Sequence, residues 1–370
     1  MRIIAFYLPQ FHEIPENNEW WGKGFTEWVN VKKAKPLFAT HRQPRKPLNN
    51  NYYDLSDIEV MKWQSRIAKE HGIYGFCYYH YWFNGHMLLQ KPLEQMLADE
   101  SVNMPFCICW ANEHWTNAWV SRENKVLIEQ SYGGKAEWKE HYEYLSRFFH
   151  DKRYIKENNK PIVVIYRPDI IDCMQEMMTY WKSLAIKDGF AGLVFAYQSV
   201  SYDYEDYHRG DCFDYDIEYQ PGYARAFMKG RKPSIVRKIF RKVSKIAYKM
   251  KLPIKEPSRL AVYDYNKVWE YVIETPPISE KSIPCAFVDW DNTPRRGTGG
   301  AVFTGMTPKL FEKYLTQLIL KAKNVYKKDF MFIFAWNEWA EGGYLEPDEE
   351  NGFGNLEAVK NALIQSNEFI

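Results

Sequence analysis

Apolar positions along this chain fall into short runs bounded by turn residues and separated by stretches with helical spacing. Eight runs are rich in β-branched and aromatic residues: Ile3 to Leu8, Ile73 to His80, Pro105 to Trp110, Pro161 to Tyr166, Leu193 to Tyr197, Phe213 to Tyr219, Cys285 to Trp290 and Phe330 to Trp336. Runs of this length and composition predict buried strands. Between them, Asp57 to Glu70 opens after a Ser56 cap, Lys135 to Phe149 is amphipathic, Asp169 to Lys187 stops at Gly189, and Thr307 to Lys323 follows a Thr-Pro start. These read as helices with identifiable starts and stops. Strands alternating with helices predict parallel βα units, and eight strands close a barrel. The expected fold class is α/β, a (β/α)8 TIM barrel.

No internal repeat, low-complexity tract or Ser/Gly linker divides the 370 residues, so a single domain over 1–370 is expected. The stretch at about 222–257 exceeds a minimal βα unit and reads as a basic helical insertion between the sixth and seventh strands. Ile235, Ile239, Val243, Ile246 and Met250 fall on one helical face there, with Arg237, Lys238, Arg241, Lys242, Lys245 and Lys249 mostly elsewhere. Such a helix either packs on the barrel with a solvated cationic face or makes peripheral contact with an anionic membrane or a lipid-linked glycan.

Charge sharpens this contrast. The chain carries 49 Lys and Arg against 47 Asp and Glu, a net +2. Residues 229–251 hold ten of the cations and no acid, which leaves the rest at −8. The molecule as a whole is therefore no general polyanion binder, and no nucleic-acid partner is expected. No apolar stretch is long enough for a membrane span. Six cysteines without CxxC spacing read as reduced buried thiols, and Met1 runs straight into a strand pattern with no leader, so a cytoplasmic location is expected, peripheral to the inner membrane if the basic segment binds lipid.

Aromatic content is the compositional anomaly, at 17% with 14 Trp and 27 Tyr, many beside polar residues. Rings with an apolar face and a hydrogen-bonding edge suit sugars. In barrels of this class the chemistry lies at the C-terminal strand ends. Those ends carry Tyr7, Gln10 and His12 from the first run, Tyr79, His80, Tyr81 and Trp82 from the second, and Trp110, Asn112, Glu113, His114 and Trp115 from the third. The seventh gives Asp289, Trp290, Asp291, Asn292 and Arg295, and the eighth Trp336, Asn337, Glu338, Trp339, Glu341 and Tyr344. Trp21 and Trp28, in the aromatic loop after the first run, could be a hydrophobic plug or a sugar-stacking platform.

The sharpest signal is Glu338 with Glu341, two carboxylates three residues apart just past a buried run, with Trp336 and Trp339 beside them. Unlike surroundings can keep one carboxyl protonated as acid and its partner ionised as base or nucleophile. The structural alternative is a helix N-terminus stabilised by acidic side chains. Asp289-Trp290-Asp291 is a DxD, which in many glycosyltransferases holds a metal against a nucleotide diphosphate, yet it is common by chance. The Arg295 to Gly300 loop has neither Walker nor GxGxxG spacing, and reads as a substrate loop. His80 and His114 lack any HExxH or His-carboxylate pattern, so hydrogen bonding to sugar or backbone is expected of them. No metal and no cofactor is expected.

The runs FYLPQFH (Phe6 to His12), WWGKGFTEW (Trp20 to Trp28), GFCYYHYWFNG (Gly75 to Gly85), CWANEHW (Cys109 to Trp115), WDNTPRRG (Trp290 to Gly297) and WNEWAEGGYLEPD (Trp336 to Asp348) resemble the WbsX-type family of bacterial polysaccharide biosynthesis, related to glycoside hydrolase family 99. The resemblance spans essentially the whole chain. It implies a (β/α)8 barrel and a retaining glycosidase or transglycosidase, α-mannosidic and endo-acting in family 99. By resemblance Glu338 is the base that deprotonates the sugar 2-hydroxyl, which attacks its own anomeric carbon to give a 1,2-anhydro sugar. Glu341 is then acid toward the leaving oxygen and base toward water. The similarity to family 99 is concentrated in the last motif, so sugar identity does not carry over. Alternatives are a nucleotide-sugar-dependent glycosyltransferase of O-antigen or capsule synthesis and a non-catalytic glycan-binding protein. In every case the expected partner is an oligosaccharide or polysaccharide.

Overall fold

The eight apolar runs form eight parallel strands that close on themselves. The computed structural model describes residues 1–117, 126–200, 212–228 and 260–369, so the cationic stretch 229–251 lies outside the described residues. The barrel strands are β1 (Arg2–Tyr7), β2 (Ile73–Phe83), β3 (Phe106–Trp110), β4 (Lys160–Ile165), β5 (Val194–Gln198), β6 (Tyr215–Glu218), β7 (Ser282–Phe287) and β8 (Phe330–Phe334). Each pairs in parallel with the next, and β8 pairs with β1 to complete the ring. The fold is a (β/α)8 TIM barrel.

Helices Ile58–Glu70, Lys91–Ala98, Lys135–Phe149, Met174–Lys187, Tyr265–Glu274, Pro308–Asn324 and Gly354–Gln365 accompany the strands. Two starts differ from the sequence expectation. Asp57, not Ser56, caps the first, its carboxylate accepting from the Glu59 N–H. The fourth begins at Met174, because Pro168–Ile170 winds a separate 3-10 turn ahead of it.

Alternation along the strands decides what reaches the barrel interior. Phe6 faces inward and stacks on Tyr79 at 5.6 Å and Phe332 at 5.2 Å. Its neighbour Tyr7 faces outward, 4.4 Å from Tyr78, and donates to Gln64 of the first helix at 2.7 Å. The same parity sends Tyr79 and Tyr81 of β2 inward, while His80 and Trp82 pack outward around His141. β2 also runs past His80 to Phe83, where residues 81–83 pair antiparallel with His86–Leu88. That extension holds the Tyr81 side chain on a strand instead of a loop.

Candidate active site

Beyond β8 the chain makes a small hairpin, Asn337–Glu338 against Gly343–Tyr344, closed by the 3-10 turn Trp339–Glu341. Gly342 terminates that turn with φ 71°. A Cβ there would lie 2.9 Å from the Asp291 backbone nitrogen, so both conformation and space call for glycine. Asn337 fixes the hairpin to β1: its Oδ1 accepts from the Leu8 N–H at 2.8 Å and its Nδ2 donates to the Leu8 carbonyl at 3.0 Å. Trp339 anchors the other side, donating its indole N–H to Glu346 at 2.7 Å and stacking 3.7 Å from Tyr344. Glu346 also accepts from Tyr53 and Gln64, and burial pushes its carboxyl up to about 7 despite these donors. A hydrogen bond from the Asp291 N–H to the Glu341 carbonyl at 2.7 Å ties the turn to the loop after β7.

This scaffold holds Glu338 and Glu341 on one guanidinium. Arg295 Nη2 lies 3.0 Å from Glu338 Oε1, Nη1 lies 3.2 Å from Glu341 Oε1, and Nε donates to Glu27 Oε1 at 2.9 Å. Glu338 is almost fully buried, with its side chain 3% exposed, whereas that of Glu341 is 19% exposed. Burial pushes the Glu338 carboxyl up to about 8; Arg295 pulls it down, and the charges of Glu341 and Glu27 push it further up. The carboxylates thus share a cation but differ in solvation.

They open into a cavity of about 460 Å³ at the C-terminal mouth of the barrel. Of the residues singled out by sequence, Gln10, Tyr79, Tyr81, Glu113, His114, Trp115, Arg295, Glu338 and Glu341 line it. Trp21 stands near the rim, 6.3 Å from the Trp115 ring. The others pack elsewhere. Trp28 is wedged among Phe11, Tyr53 and Trp339. Trp110 packs on His141 and Trp181, and Trp336 on Phe76. Neither Trp336 nor Trp339 lines the cleft; its aromatic walls come from Tyr79, Tyr81, Trp115, Tyr166, Tyr219 and Phe334. His12 is buried outside the cleft lining, and Asn112 brackets the Arg167 backbone. Tyr344 donates to Asp348, Asn292 accepts from the Ala301 N–H, and Trp290 packs on Phe334.

The DxD carboxylates already have partners. Asp289 accepts from Arg45 at 2.7 Å, and Asp291 accepts from His41 at 2.8 Å, Gln43 at 2.6 Å and the Thr293 hydroxyl at 2.6 Å. Among the described residues no group of three or more His, Cys, Asp or Glu is arranged to hold a metal ion.

Tyr166, Tyr219 and Glu27 join the site without having been singled out for it. The two tyrosines are the last residues of their apolar runs, so the strand-end rule reaches them when applied to the fourth and sixth runs. Glu27 is brought in by the short helix Glu27–Lys33 and carries no signal of its own among the aromatic residues around it. His114 lines the cleft as well, with Nδ1 accepting from the Gln130 N–H at 2.8 Å.

Among solved structures, the chain is similar to the GH99 endo-alpha-mannosidase from Bacteroides thetaiotaomicron, with TM-score 0.57 and 12% identity over 99% of this chain and 97% of that one. A glycoside hydrolase-like protein gives TM-score 0.55 and 13% identity, covering 98% and 93%. At these identities the likeness concerns the fold. In sequence, the chain is 33% identical over 368 residues to the uncharacterized protein WxcX of Xanthomonas campestris pv. campestris (strain B100), covering 98% of this chain. WxcX of strain ATCC 33913 matches at the same 33% identity, and the chain spans about half (50%) the length of these relatives. No helix among the described residues is long and apolar enough to cross a membrane. The family model described as Glycosyltransferase WbsX matches residues 3–359, and the chain belongs to that family.

Proposed function

We propose that this chain is a carbohydrate-active enzyme that breaks or transfers a glycosidic bond with Glu338 and Glu341 as its proton-handling pair. The observation that carries the reading is the single Arg295 guanidinium in contact with both carboxylates at the base of a hydroxyl-lined cleft. In the step we favour, Glu338 takes the proton of the sugar 2-hydroxyl. The freed oxygen attacks the anomeric carbon of its own ring, the glycosidic C–O bond breaks, and Glu341 gives its proton to the departing oxygen. Water, or the hydroxyl of an acceptor sugar, then opens the 1,2-anhydro ring. Glu341 takes the incoming proton and Glu338 returns its own to the 2-oxygen. Two inversions give net retention.

Burial and raised basicity suit Glu338 to proton abstraction from a weakly acidic hydroxyl, and the greater exposure of Glu341 suits exchange with an incoming acceptor. The neighbour's endo-alpha-mannosidase activity makes an α-mannosidic linkage in a bacterial polysaccharide or its precursor the first substrate to try.

Transfer through a metal-bound nucleotide sugar is the second reading, favoured by the glycosyltransferase description of the family. Placing a metal on Asp289 and Asp291 would require displacing Arg45, His41, Gln43 and Thr293 from their oxygens. Incubation with α-mannosidic oligosaccharides, with and without EDTA and nucleotide sugars, followed by mass spectrometry of the products, separates the two. Chelator-insensitive turnover that is lost in Glu341→Gln is the expected result. Turnover that needs both a divalent ion and a nucleotide sugar would replace the first reading with the second.

A further inference from the structure

One wall of the cleft carries a hydrogen-bonding pair that is incomplete within the protein. Gln10 Nε2 donates to the Tyr81 hydroxyl at 2.8 Å. The amide oxygen of Gln10 is buried and has no partner among the described residues, yet Gln10 and Tyr81 both line the cavity. A tyrosine oxygen that accepts from an amide keeps its own proton free to donate. The pair therefore offers one donor, the Tyr81 O–H, beside one acceptor, the Gln10 Oε1. Reversing the amide leaves the count unchanged: Tyr81 would donate to the amide oxygen and retain a lone pair, while the amide NH₂ became the free donor. In either arrangement a single donor and a single acceptor lie side by side.

The two side chains hold each other through that bond, and each residue has a further anchor before any ligand arrives. The Glu27 N–H fixes the Gln10 main chain, reaching its backbone carbonyl at 3.3 Å, and the Trp115 ring meets Tyr81 edge-on at 5.1 Å. Burial raises the Tyr81 phenol, and Glu338 and Arg295 are near enough for their charges to act on it in opposite directions. A ligand group that satisfies this wall thus sits in the cavity that Glu338 and Glu341 also line. It must both donate and accept, and the sugar substituent that recurs around the ring and does both through one atom is the hydroxyl.

We propose that Gln10 and Tyr81 together select one hydroxyl of the sugar ring seated against Glu338, an inference that rests on the glycan-processing reading above. A site built around a substrate hydroxyl rejects the analogue lacking it more strongly than an apolar pocket rejects a missing methylene, because its buried polar atoms are left unpaired.

The test is titration of the chain, by calorimetry or ligand-observed NMR, with methyl α-mannoside, methyl α-glucoside and the monodeoxy derivatives of each. For the unaltered protein one deoxy position is expected to weaken binding by about tenfold or more. Tyr81→Phe and Gln10→Leu should weaken the parent glycoside by a similar factor while leaving that one derivative unchanged, so that discrimination at that position disappears. Melting curves matching the unaltered protein establish that each variant is folded, and Tyr81→Phe suffices alone if Gln10→Leu is not. If a parent glycoside binds but Tyr81→Phe affects all derivatives equally or none of them, the selection of a hydroxyl is refuted and the glycan reading stands. Failure of both parents and all derivatives to bind the unaltered protein would overturn both.

Discussion

Arg295 Nη2 lies 3.0 Å from Glu338 Oε1, and the side chains are only 9% and 3% exposed. The remaining guanidinium edges reach Glu27 and Glu341, so one positive charge serves three carboxylates. Fully ionised, this cluster would carry net negative charge in a poorly solvated place. Near neutral pH it is easier to retain a proton, and burial directs that proton to Glu338, whose carboxyl is pushed up to about 8.

Removing the cation should therefore be costly. Arg295→Met leaves the Glu27, Glu338 and Glu341 carboxylates without their shared partner, and breaking a buried pair from one side costs about 3–5 kcal/mol. Urea denaturation at pH 8 is expected to show a loss of that order, with a smaller loss at pH 5, where the carboxyls can protonate. Arg295→Lys should recover only part of it, since an ammonium cannot present three edges at once. A loss of less than about 1 kcal/mol at pH 8 in the Met variant would mean that the cluster is not held by this charge.

Glu338 also sets a slope of stability against pH. Its carboxyl is raised on folding, so the folded chain binds the proton more tightly than the unfolded chain does. The associated stability is complete below the ordinary glutamate range and is lost as pH rises from there through about 8. Glu346, raised to about 7, contributes a slope of the same sign. Denaturation midpoints between pH 4.5 and 9 should thus fall with pH in the unaltered chain, and Glu338→Gln should fall less steeply while retaining the Glu346 part. Identical slopes in the two proteins would contradict the buried, proton-holding state of Glu338.

Much of this was legible in the sequence, and what was not has a physical cause. All eight strands lie within a few residues of their apolar runs, because a strand buried on both faces leaves a run that pattern alone detects. The Glu338 and Glu341 pair stood out because both follow directly on the last of these runs. Which neighbours would face the cleft was harder to read. Tyr79 and Tyr81 differ from His80 and Trp82 only by the parity of β2, and that parity depends on the strand continuing to Phe83 through a hairpin. Glu27 reaches Arg295 across 268 residues of chain, and its role is set by where a short helix in the first loop comes to rest. The tryptophans beside the glutamates in sequence turn away from the cleft: Trp339 serves the Glu346 network and Trp336 packs on Phe76.

Backbone demands at the hairpin give a separate prediction. Gly342 has φ 71°, and an added Cβ would sit 2.9 Å from the Asp291 nitrogen that donates to the Glu341 carbonyl. A left-handed alanine costs about 1–2 kcal/mol, and relieving the contact shifts the loop that holds Glu341. Gly342→Ala is expected to lower stability by at least that amount, and turnover by more than the loss of folded protein accounts for, because Glu341 moves with its carbonyl. The check is turnover normalised to the folded fraction from circular dichroism. Unchanged specific turnover would show that the tie between Asp291 and Glu341 does not position the acid.

The pH dependence of turnover tests whether the proton held by Glu338 and Glu341 takes part in catalysis. As the base of the proposed mechanism Glu338 must be ionised while Glu341 carries a proton, so the reacting form is the pair with one proton, placed on Glu341. On the glycan identified as substrate, kcat/KM should therefore fall roughly tenfold per pH unit above about 8, where the pair loses that proton. Arg295 opposes the upward push on Glu338, so Arg295→Lys, with its weaker fit to the carboxylate, should move this limb to higher pH. A kcat/KM that stays level or rises through this region, or a limb that Arg295→Lys leaves in place, would mean that the proton retained by the pair is not used in turnover.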